Sequence, residues 1–249
     1  MTYGGPVISL TGLSKRYGAL QALEGVDLEI HAGEVLALCG DNGAGKSTLI
    51  RILSGAETPS SGTIRLHGSP ISFKSPNDAM GSGVAAIYQD LALAPRLSIR
   101  ENVFMGAELT RPLVFPFIRR LDKRRMAAEA RQLLARLEVR IDDVERPVES
   151  LSGGQRQAVA IARALRASAR LIIMDEPTAA LGVRESAQVL ALICRLREAG
   201  HTVVLISHNM RDVAQVATRV AILKGGRKVH DQPMAGLVAD DLRRMILDA

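Results

Sequence analysis

The sequence predicts an α/β fold in which a core with a mostly parallel sheet and helices is joined by an antiparallel β subdomain and an inserted α-helical subdomain. Short apolar runs fill the first ninety positions, helical periodicity follows from about position 90 to 167, and apolar strands then alternate with helices again. Because the helical block interrupts the strands, we expect a single domain over residues 1–249. Residues 1–89 and 168–249 would form its α/β core, and residues 90–167 its helical subdomain.

The first strands are predicted from short apolar runs that are bounded by Gly, Pro, Ser or Asp. These runs are Val7–Leu13, Val26–Ile30, Val35–Cys39, Thr63–His67 and Val84–Tyr88. A helix is expected to begin at Gly45, shortly after the third run, because aliphatic residues follow it at helical spacing. Its buried side would contain Leu49, Ile52 and Leu53.

The middle of the chain has a helical pattern. Apolar residues recur every 3.6 positions between Met126 and Leu137, and an alanine-rich stretch predicts a further helix over Gly153–Leu165. Strands and helices then alternate, which is typical of a parallel sheet. The elements expected there are the strands Leu171–Met174 and Val203–Ile206, the intervening helix Val183–Glu198, a hairpin of Val220–Leu223 and Lys228–His230 turning at Gly225-Gly226, and a last helix over Met234–Leu247.

A basic cluster lies around a predicted loop. Pro112 and Pro116 favour a loop over Arg111–Ile118, which also contains Phe115 and Phe117. The basic residues of the cluster are Arg111, Arg119, Arg120, Lys123, Arg124, Arg125 and Arg131. Such a cluster suits a solvated helix face, an acidic partner, anionic headgroups or nucleic acid. Aromatic residues make up only 3% of the chain and do not alternate with these charges, so a solvated face is favoured and no nucleic-acid partner is expected.

Composition also limits the class of protein. No run of about 18 apolar residues is present, so no membrane-spanning helix is expected. The N-terminus lacks the basic-then-apolar order of a signal peptide, which favours the cytosol. Cys39 and Cys194 are expected to be buried, reduced thiols rather than parts of a disulfide framework.

A glycine-rich segment after the third strand predicts a phosphate-binding loop. Its glycines would let backbone N–H groups surround an anion, and the following helix would add its positive N-terminal dipole. Lys46 is expected to reach the β- and γ-phosphates of ATP, Ser47 to ligate Mg²⁺, and Thr48 to contact the α-phosphate. The candidate ATP-binding residues are Tyr17, Gly40, Asp41, Asn42, Gly43, Ala44, Gly45, Lys46, Ser47 and Thr48.

Two carboxylates follow the apolar run Leu171–Met174. A residue in this position lies at the carboxyl end of a buried strand, where open α/β sheets bind ligands. Asp175 is therefore a candidate Mg²⁺ ligand through water. Glu176 is the candidate general base that orients the attacking water. An acidic cap for the next segment is the alternative for this pair.

Three single residues are candidates by position. Gln89 follows the strand Val84–Tyr88 and can reach both Mg²⁺ and the attacking water, unless it merely ends the strand. His208 follows Val203–Ser207 at the end of another strand, within reach of a γ-phosphate, unless it is a cap or a core residue. Tyr17 precedes the phosphate loop and can stack on adenine, although an aromatic residue in a β-hairpin would look the same.

A serine-glycine segment precedes the alanine-rich helix. Its residues are Ser152, Gly153, Gly154 and Gln155. Alone, it indicates a serine cap and glycines that open a helix. Beside the two other motifs, it is also a candidate clamp for a γ-phosphate, because a hydroxyl and free N–H groups meet at a helix N-terminus. No arginine finger is evident near the other motifs, so a clamp supplied by a second subunit would fill that role.

Together these residues resemble the ATP-binding cassette (ABC) transporter family, and the resemblance extends from about Ile8 to His230. It implies a P-loop ATPase core in which Gly40–Thr48 is the Walker A loop and Asp175-Glu176 the Walker B pair. It further implies that Tyr17 stacks on adenine, Gln89 is the Q-loop residue, Ser152–Gln155 is the signature and His208 is the switch histidine. The catalytic set would then be Glu176, His208, Gln89 and Lys46, with Ser47, Gln89 and Asp175 around Mg²⁺.

A finer resemblance is to the ATPases of ribose, fructose and xylose importers, carried by Tyr88–Leu93, Leu151–Leu165 and Thr178–Glu185. Many of that group have two cassettes in tandem, whereas this chain has one. Gly182 also stands where the family has the D-loop aspartate, which bears on communication between the two sites; every other catalytic position is filled.

The resemblance implies a function and partners. One full motif set favours a head-to-tail homodimer with two ATP molecules at its interface, which would power solute import through a separate membrane permease supplied by a solute-binding protein. The ATPase would then lie in the cytoplasm, on the inner face of the membrane. The permease contact is expected near the Q-loop and helical block, with Phe115 and Phe117 as candidates unless they pack within that block. A soluble ABC ATPase acting on nucleic acid or ribosomes, and an exporter ATPase, are the alternatives.

Overall fold

The computed structural model describes residues 5–113 and 118–248, and its main sheet has six strands. These are β3 (Val35–Cys39), β6 (Val84–Ile87), β9 (Leu171–Asp175), β10 (Thr202–Ile206), β11 (Arg219–Lys224) and β12 (Arg227–Pro233). Their order is β12-β11-β3-β10-β9-β6. All neighbouring pairs are parallel except β11 with β12, which form the predicted closing hairpin.

A second sheet has four antiparallel strands in the order β2-β1-β4-β5. They are β1 (Ile8–Tyr17), β2 (Leu20–Ile30), β4 (Ser61–Leu66) and β5 (Ser69–Ile71). β1 and β2 are longer than the apolar runs that predict them, because register shifts let the strands continue past local irregularities. The predicted α/β fold with an antiparallel β subdomain is thus confirmed.

Helices surround the two sheets. They are α1 (Lys46–Leu53), α2 (Pro76–Gly81), α3 (Ile99–Phe104), α4 (Lys123–Arg136), α5 (Gly153–Arg166), α6 (Val183–Glu198), α7 (Met210–Val216) and α8 (Ala239–Asp248). A short turn of 3-10 helix covers Val148–Ser150. The sequence predicts α4, α5 and α6 well, because each has a long apolar face. It does not single out α2, α3 or α7, which are too short for a periodic pattern.

The central strand β3 is buried on both faces, as expected for a parallel strand between two layers. Leu36 and Leu38 pack with α1 and the antiparallel sheet. The alternate residues Ala37 and Cys39 pack with α7 and α8. Since side chains alternate across a strand, one apolar run supplies two separate clusters. This packing fixes the carboxyl end of β3, where the phosphate loop begins.

The helices α3, α4 and α5 pack against one another and share a core with one face of β9 and β10. Ile172 and Leu205 belong to the same buried cluster as Ile161 of α5 and Met126 of α4. The helical block is therefore continuous with the sheet through its apolar contacts. The boundaries at residues 90 and 167 stay a prediction.

Three local predictions need correction. The segment Arg111–Ile118 is not wholly a loop, because β7 (Thr110–Pro112) pairs antiparallel with β8 (Arg119–Leu121). Pro112 is tolerated since it ends a short exposed strand, while Phe115 and Phe117 lie outside the described residues. The last helix begins at Ala239 and not at Met234, because a turn with Gly236 at a φ of 81° intervenes. Cys194 is half-buried, whereas Cys39 is fully buried; both thiols are free, as predicted.

The described residues contain no helix that is long and apolar enough to cross a membrane.

Candidate nucleotide-binding site

A pocket of about 760 Å³ opens where β3, β6, β9 and β10 end, beside the β1–β2 hairpin. It brings together most of the residues that the sequence singles out: Tyr17, Gly40, Asn42, Gly43, Ala44, Gly45, Lys46, Ser47, Thr48, Gln89, Asp175, Glu176 and His208. Asp41 does not line the pocket and contributes its carbonyl to the loop instead. Lys46 is the only lysine or arginine among the described residues that line it.

Two glycines of the phosphate loop are required by close backbone approaches. Gly40 has a φ of 141°, and a Cβ there would lie 2.2 Å from the carbonyl oxygen of Leu223. Gly45 has a φ of 104°, and its Cβ would lie 2.7 Å from the carbonyl oxygen of Ala22. Any other residue would clash as well as strain the backbone. The loop is therefore wedged between β2 and β11, which fixes its shape.

Lys46 lies at the start of α1, and its ammonium group is held over the loop. Nζ donates hydrogen bonds to the carbonyl oxygens of Gly40 at 2.6 Å and Asp41 at 2.9 Å. No side chain caps the N-terminus of α1, whose N-cap is Gly45. Backbone donors and a cation thus converge on one end of the pocket, an arrangement that binds phosphate groups.

Cys39 directly precedes the loop, and its thiol stays neutral. Burial raises the pKa of this thiol to about 12, with Lys46 acting in the opposite direction. At neutral pH Cys39 therefore adds no negative charge beneath a site for anions.

The two carboxylates at the end of β9 differ in their surroundings. Burial, and then the adjacent negative charge of Glu176, raise the pKa of the Asp175 carboxyl, while Lys46 opposes the shift. Glu176 has a φ of 51°, an uncommon conformation for a residue with a side chain. Its N–H donates to the carbonyl oxygen of Ile206 at 2.9 Å, which holds the turn against β10. Backbone strain of this kind is frequent where a side chain is aimed at a substrate.

His208 lies next to Glu176 in the pocket. Its Nδ1 lies 2.7 Å from Oε2 of Glu176, and the imidazole is largely exposed whereas the carboxylate is mostly buried. The contact lacks the angles of a directed hydrogen bond, and Oε2 accepts none from the described residues. Oε2 of Glu176 is thus a buried carboxylate oxygen whose nearest polar neighbour is the imidazole of His208.

Tyr17 ends β1, where it pairs with Leu20 across the turn to β2. Lys15 lies over one face of the phenol ring, with Nζ 5.0 Å from the ring centroid. The same ammonium donates to the carbonyl oxygen of Thr58 at 2.7 Å and pairs with Glu57 at 2.9 Å. Lys15 therefore supports one face of the Tyr17 ring, and the side chain remains partly exposed where it lines the pocket.

Gln89 lines both the main pocket and a neighbouring cavity of about 430 Å³ that runs along the helical block. The segment around it is held from two sides. Tyr88 shares a hydrogen bond of 2.7 Å with Ser54 at the end of α1, and Arg163 of α5 donates to the carbonyl oxygens of Leu91 and Ala92, both at 2.8 Å. Burial lowers the pKa of the Arg163 guanidinium, which nevertheless stays charged at neutral pH. Gln89 thus lies between the pocket and the helices.

The predicted signature residues do not join this pocket within one chain. None of Ser152, Gly153, Gly154 and Gln155 lines it. Ser152 caps α5 and is exposed; its hydroxyl accepts from the N–H of Gln155 at 3.3 Å, and the Gln155 side chain accepts from the N–H of Ser152 at 3.1 Å. This reciprocal cap closes the start of α5, where Ser152 is exposed while Gly153 and Gly154 are buried.

Sequence reasoning missed five residues that line the pocket: Leu20, Gln21, Ala22, Ala179 and Ile206. Three come from β2, which the apolar pattern extends only over Val26–Ile30. The sequence feature that could have indicated the contact with β2 is Gly45. A glycine next to a helix start often marks a place where another backbone segment comes close. Ala22 makes that approach.

The residues present fit a magnesium ion bound together with phosphate groups. The described residues contain no group of three or more His, Cys, Asp or Glu side chains that could hold a metal by itself. Ser47, Gln89 and Asp175 instead offer a hydroxyl, an amide oxygen and one carboxylate in the same pocket. Mg²⁺ accepts such sparse oxygen ligands because waters and substrate phosphates complete its shell.

Comparison with known proteins identifies the family. The model of the ABC transporter family matches residues 23–179. A fructose import ATP-binding protein of Rhizobium meliloti is 49% identical over 90% of this chain and 87% of its own length. A xylose/arabinose import ATP-binding protein of Sulfolobus acidocaldarius is 47% identical over 89% of this chain and 86% of its own length. A ribose import ATP-binding protein of Yersinia pestis is 41% identical over 97% of this chain but only 46% of its own length.

A solved structure agrees with this assignment. The dimeric post-hydrolysis state of an ATP-binding cassette bound to ADP and Pi has a TM-score of 0.73 and 27% identity, covering 92% of this chain and all of that one. The predicted resemblance to sugar-importer ATPases is confirmed by the relatives above. The chain therefore belongs to the ABC transporter family, as an ATP-hydrolysing cassette.

Proposed function

We propose that two copies of this chain associate head to tail, bind two ATP molecules between them, and use ATP hydrolysis to power import of a small solute, a monosaccharide, through a separate membrane permease. The observation that carries the proposal is the separation of two half-sites in one chain. The pocket holds the phosphate loop and the carboxylates, while the signature residues do not line it and Ser152 at the helix tip is exposed.

The pocket lacks part of what hydrolysis requires. The developing charge of the transferred phosphoryl group needs donors on more than one side, and the described lining offers one cation, Lys46. The exposed hydroxyl of Ser152 and the N-terminal dipole of α5 are suitable donors. Because they lie away from the pocket of their own chain, a second subunit has to supply them. The solved cassette bound to ADP and Pi is dimeric, which supports association of two subunits.

Each pocket residue has a proposed part in the reaction. Lys46 and the backbone N–H groups at the start of α1 hold the phosphates, and Tyr17 stacks on adenine. Glu176 lines the pocket at the end of β9 and accepts a proton from the attacking water, which makes it the general base. His208 lies beside that carboxylate and orients it towards the γ-phosphate. Gln89 contacts the water and senses whether the γ-phosphate is present.

Magnesium is proposed as the cofactor. Ser47, Gln89 and Asp175 would hold the ion, which supplies positive charge to the phosphate oxygens. Binding of the magnesium ion would also change the ionisation of Asp175. A bound cation favours the ionised form of this carboxyl, whose pKa burial and Glu176 raise in the protein alone.

The names of the relatives support import as the direction of transport. The fructose, xylose/arabinose and ribose proteins are named import ATP-binding proteins, which supports sugar import for this chain. The assembled transporter would join the homodimer to a permease and, through it, to a solute-binding protein. The cassette would then work in the cytoplasm, on the inner face of the cell membrane. We expect no nucleic-acid partner.

The dimer proposal is tested by sedimentation velocity of the Glu176→Gln variant with and without ATP and magnesium. Slow turnover keeps ATP at the interface, so the variant should be a monomer without ATP and a dimer with it. The matched control is the Glu176→Gln, Ser152→Ala double variant, which should dimerise less. A Glu176→Gln protein that remains a monomer with saturating ATP, alone and together with its permease, contradicts the proposal.

The import proposal is tested in proteoliposomes that contain the permease from the same gene cluster. Uptake of a radiolabelled monosaccharide should require ATP on the cassette side and the solute-binding protein on the other side. ATP-dependent efflux without the binding protein would instead indicate an exporter.

A further inference from the structure

Glu185 connects the two parts of the chain that hydrolysis has to coordinate. Oε1 of its carboxylate accepts a hydrogen bond from the N–H of Gly153, the first residue of α5, at 2.8 Å. Oε2 accepts from the N–H of Gly182, the residue before α6, at 3.3 Å. One carboxylate thus bridges the signature helix tip and the end of the loop that follows Glu176.

The packing around this bridge is tight. A Cβ on Gly153 would lie 2.3 Å from Cδ2 of Leu181 and 3.4 Å from both carboxylate oxygens of Glu185. A side chain at position 153 would therefore require the end of the Leu181 side chain to move. The two carboxylate oxygens of Glu185 would lie in close contact with it.

The loop over residues 176–182 is attached at further points. Gln157 of α5 donates to the carbonyl oxygen of Pro177 at 2.9 Å, and Thr178 donates to Asp212 of α7 at 2.7 Å. Glu176 starts the loop at a strained backbone position. The loop therefore begins at Glu176 in the pocket and ends at the residue that carries the bridge to α5.

The bridge also concerns the position where the family has an aspartate. Gly182 has no side chain, so it offers only its N–H. Glu185, in the first turn of α6, brings a carboxylate back to the same place. A local cap of α6 would need only the contact with Gly182. The contact with Gly153, which is 32 positions away in the sequence, instead joins α6 to the start of α5.

We propose that Glu185 is a positioning residue for hydrolysis. It holds the Ser152–Gly153 helix tip at a fixed place relative to the loop 176–182 of its own subunit, and it supplies the carboxylate that Gly182 lacks. The tip then reaches the triphosphate of the partner subunit in step with the catalytic loop. The inference rests on the head-to-tail dimer proposed above.

The test compares steady-state ATP turnover of Glu185→Ala and Glu185→Gln, with Glu198→Ala as the control at the exposed end of α6. Glu185→Ala should lower kcat about tenfold, the loss expected for one charge-assisted hydrogen bond, and leave KM for ATP within about twofold. Glu185→Gln should recover part of the loss, since its amide oxygen still accepts from Gly153. Binding of a fluorescent ATP analogue to the monomer should stay close to that of Glu198→Ala. The melting temperature should fall by a few degrees relative to this control, because Glu185→Ala loses two hydrogen bonds.

A double variant separates positioning from general stability. Because Glu185 acts through the helix tip, Ser152→Ala with Glu185→Ala should be no slower than Ser152→Ala alone. Three outcomes would overturn the inference. The double variant could show the product of the two single losses in kcat, Glu185→Ala could have an unchanged kcat, or Glu185→Gln could be as slow as Glu185→Ala. If Ser152→Ala itself leaves kcat unchanged, the dimer proposal fails; if only Ser152→Ala lowers kcat, the role of Glu185 alone fails.

Discussion

The phosphate pocket and the signature helix tip each contain a helix N-terminus with glycines at or next to it, but they are built differently. At α1 the N-cap is a glycine without a capping side chain, and the loop is wedged against Ala22 and Leu223 so that its donors converge on a pocket. At α5 the N-cap is Ser152, whose hydroxyl accepts the N–H of Gln155, and Glu185 accepts the N–H of Gly153. The first terminus is shaped to receive a ligand, whereas the second is held in place by its own chain.

This difference indicates that the two helix N-termini have separate functions. The pocket has enough donors to bind nucleotide within one subunit, so its substitution should alter affinity or chemistry there. The helix tip has contacts that set its position and one exposed hydroxyl, so its substitution should alter turnover only when a second subunit is present. The following experiments test that distinction, beginning with the largest effect.

Replacing Glu176 with glutamine should separate binding from chemistry in the pocket. The amide keeps the shape but cannot accept the proton of water, so turnover should fall by about 10²–10⁴-fold. ATP affinity should be close to that of the original protein, because Glu176 holds no phosphate. Phosphate release and binding of a fluorescent ATP analogue measure the two quantities. Unchanged turnover would exclude Glu176 as the general base.

Replacing Ser152 with alanine should affect only the dimer. Loss of one preorganised donor to the transferred phosphoryl group predicts a fall in kcat of about 10²-fold. The control is Ser75→Ala, which removes a similar N-cap hydroxyl from α2, where Ser75 accepts the N–H of Asp78 at 3.2 Å. Both variants should lose a similar amount of stability, about 1 kcal/mol for a cap. Equal kcat values in the two variants would make Ser152 a simple cap.

Replacing Tyr17 with alanine should weaken ATP binding in the monomer. Stacking of a base on an aromatic ring is worth roughly 1–3 kcal/mol, so the dissociation constant should rise about tenfold. Tyr17→Phe keeps the ring and its position over Lys15, and it should bind ATP nearly as well as the original protein. Isothermal titration calorimetry of both variants decides the matter. A comparable loss in Tyr17→Phe would assign the effect to the hydroxyl.

Replacing Asp175 with asparagine should change stability slightly and in a pH-dependent way. Its pKa is raised in the folded protein by burial and by Glu176, so its contribution to stability is complete below the ordinary aspartate pKa and is lost as pH rises through the raised value. At pH 7 the metal-free variant should therefore melt higher. The rise should be only about 2 °C, because the carboxyl is half-exposed and solvent screens it.

Thermal melts at pH 7 and pH 4 measure this effect, with Asp142→Asn at an exposed position as the control. The difference between Asp175→Asn and the original protein should shrink at pH 4. Stabilisation by ATP with magnesium should also be smaller in the variant. A variant that melts lower than the original protein at pH 7 without metal would contradict the direction of the pKa shift.

Some of the site could be predicted from the sequence because its residues are close together in the chain. Gly45, Lys46 and Ser47 follow an apolar strand, and the strand decides where they lie. Asp175 and Glu176 end another strand of the same sheet, so the carboxyl-edge rule for parallel strands places them opposite the loop. In both cases a local pattern is enough to put the side chain in the pocket.

Other parts of the site depended on distant contacts. Ala22 lines the pocket because Gly45 and Gly226 leave room for β2 to approach. The sequence pattern predicts the start of the final helix at Met234, whereas α8 begins at Ala239. The intervening turn depends on the conformation of one glycine, Gly236. The pair β7–β8 formed despite Pro112, since an exposed end strand does not need every N–H.

By itself, the sequence determined the α/β class, the phosphate loop, the paired carboxylates and the family, because these rest on apolar periodicity and on contiguous residues. Only the tertiary structure decided that Lys15 supports Tyr17, that His208 faces Glu176, and that Glu185 joins α5 to the loop before α6. Each of these contacts joins residues whose relative positions are set by packing of separate elements. A linear pattern records spacing along the chain, whereas distance across a fold depends on how its strands and helices pack.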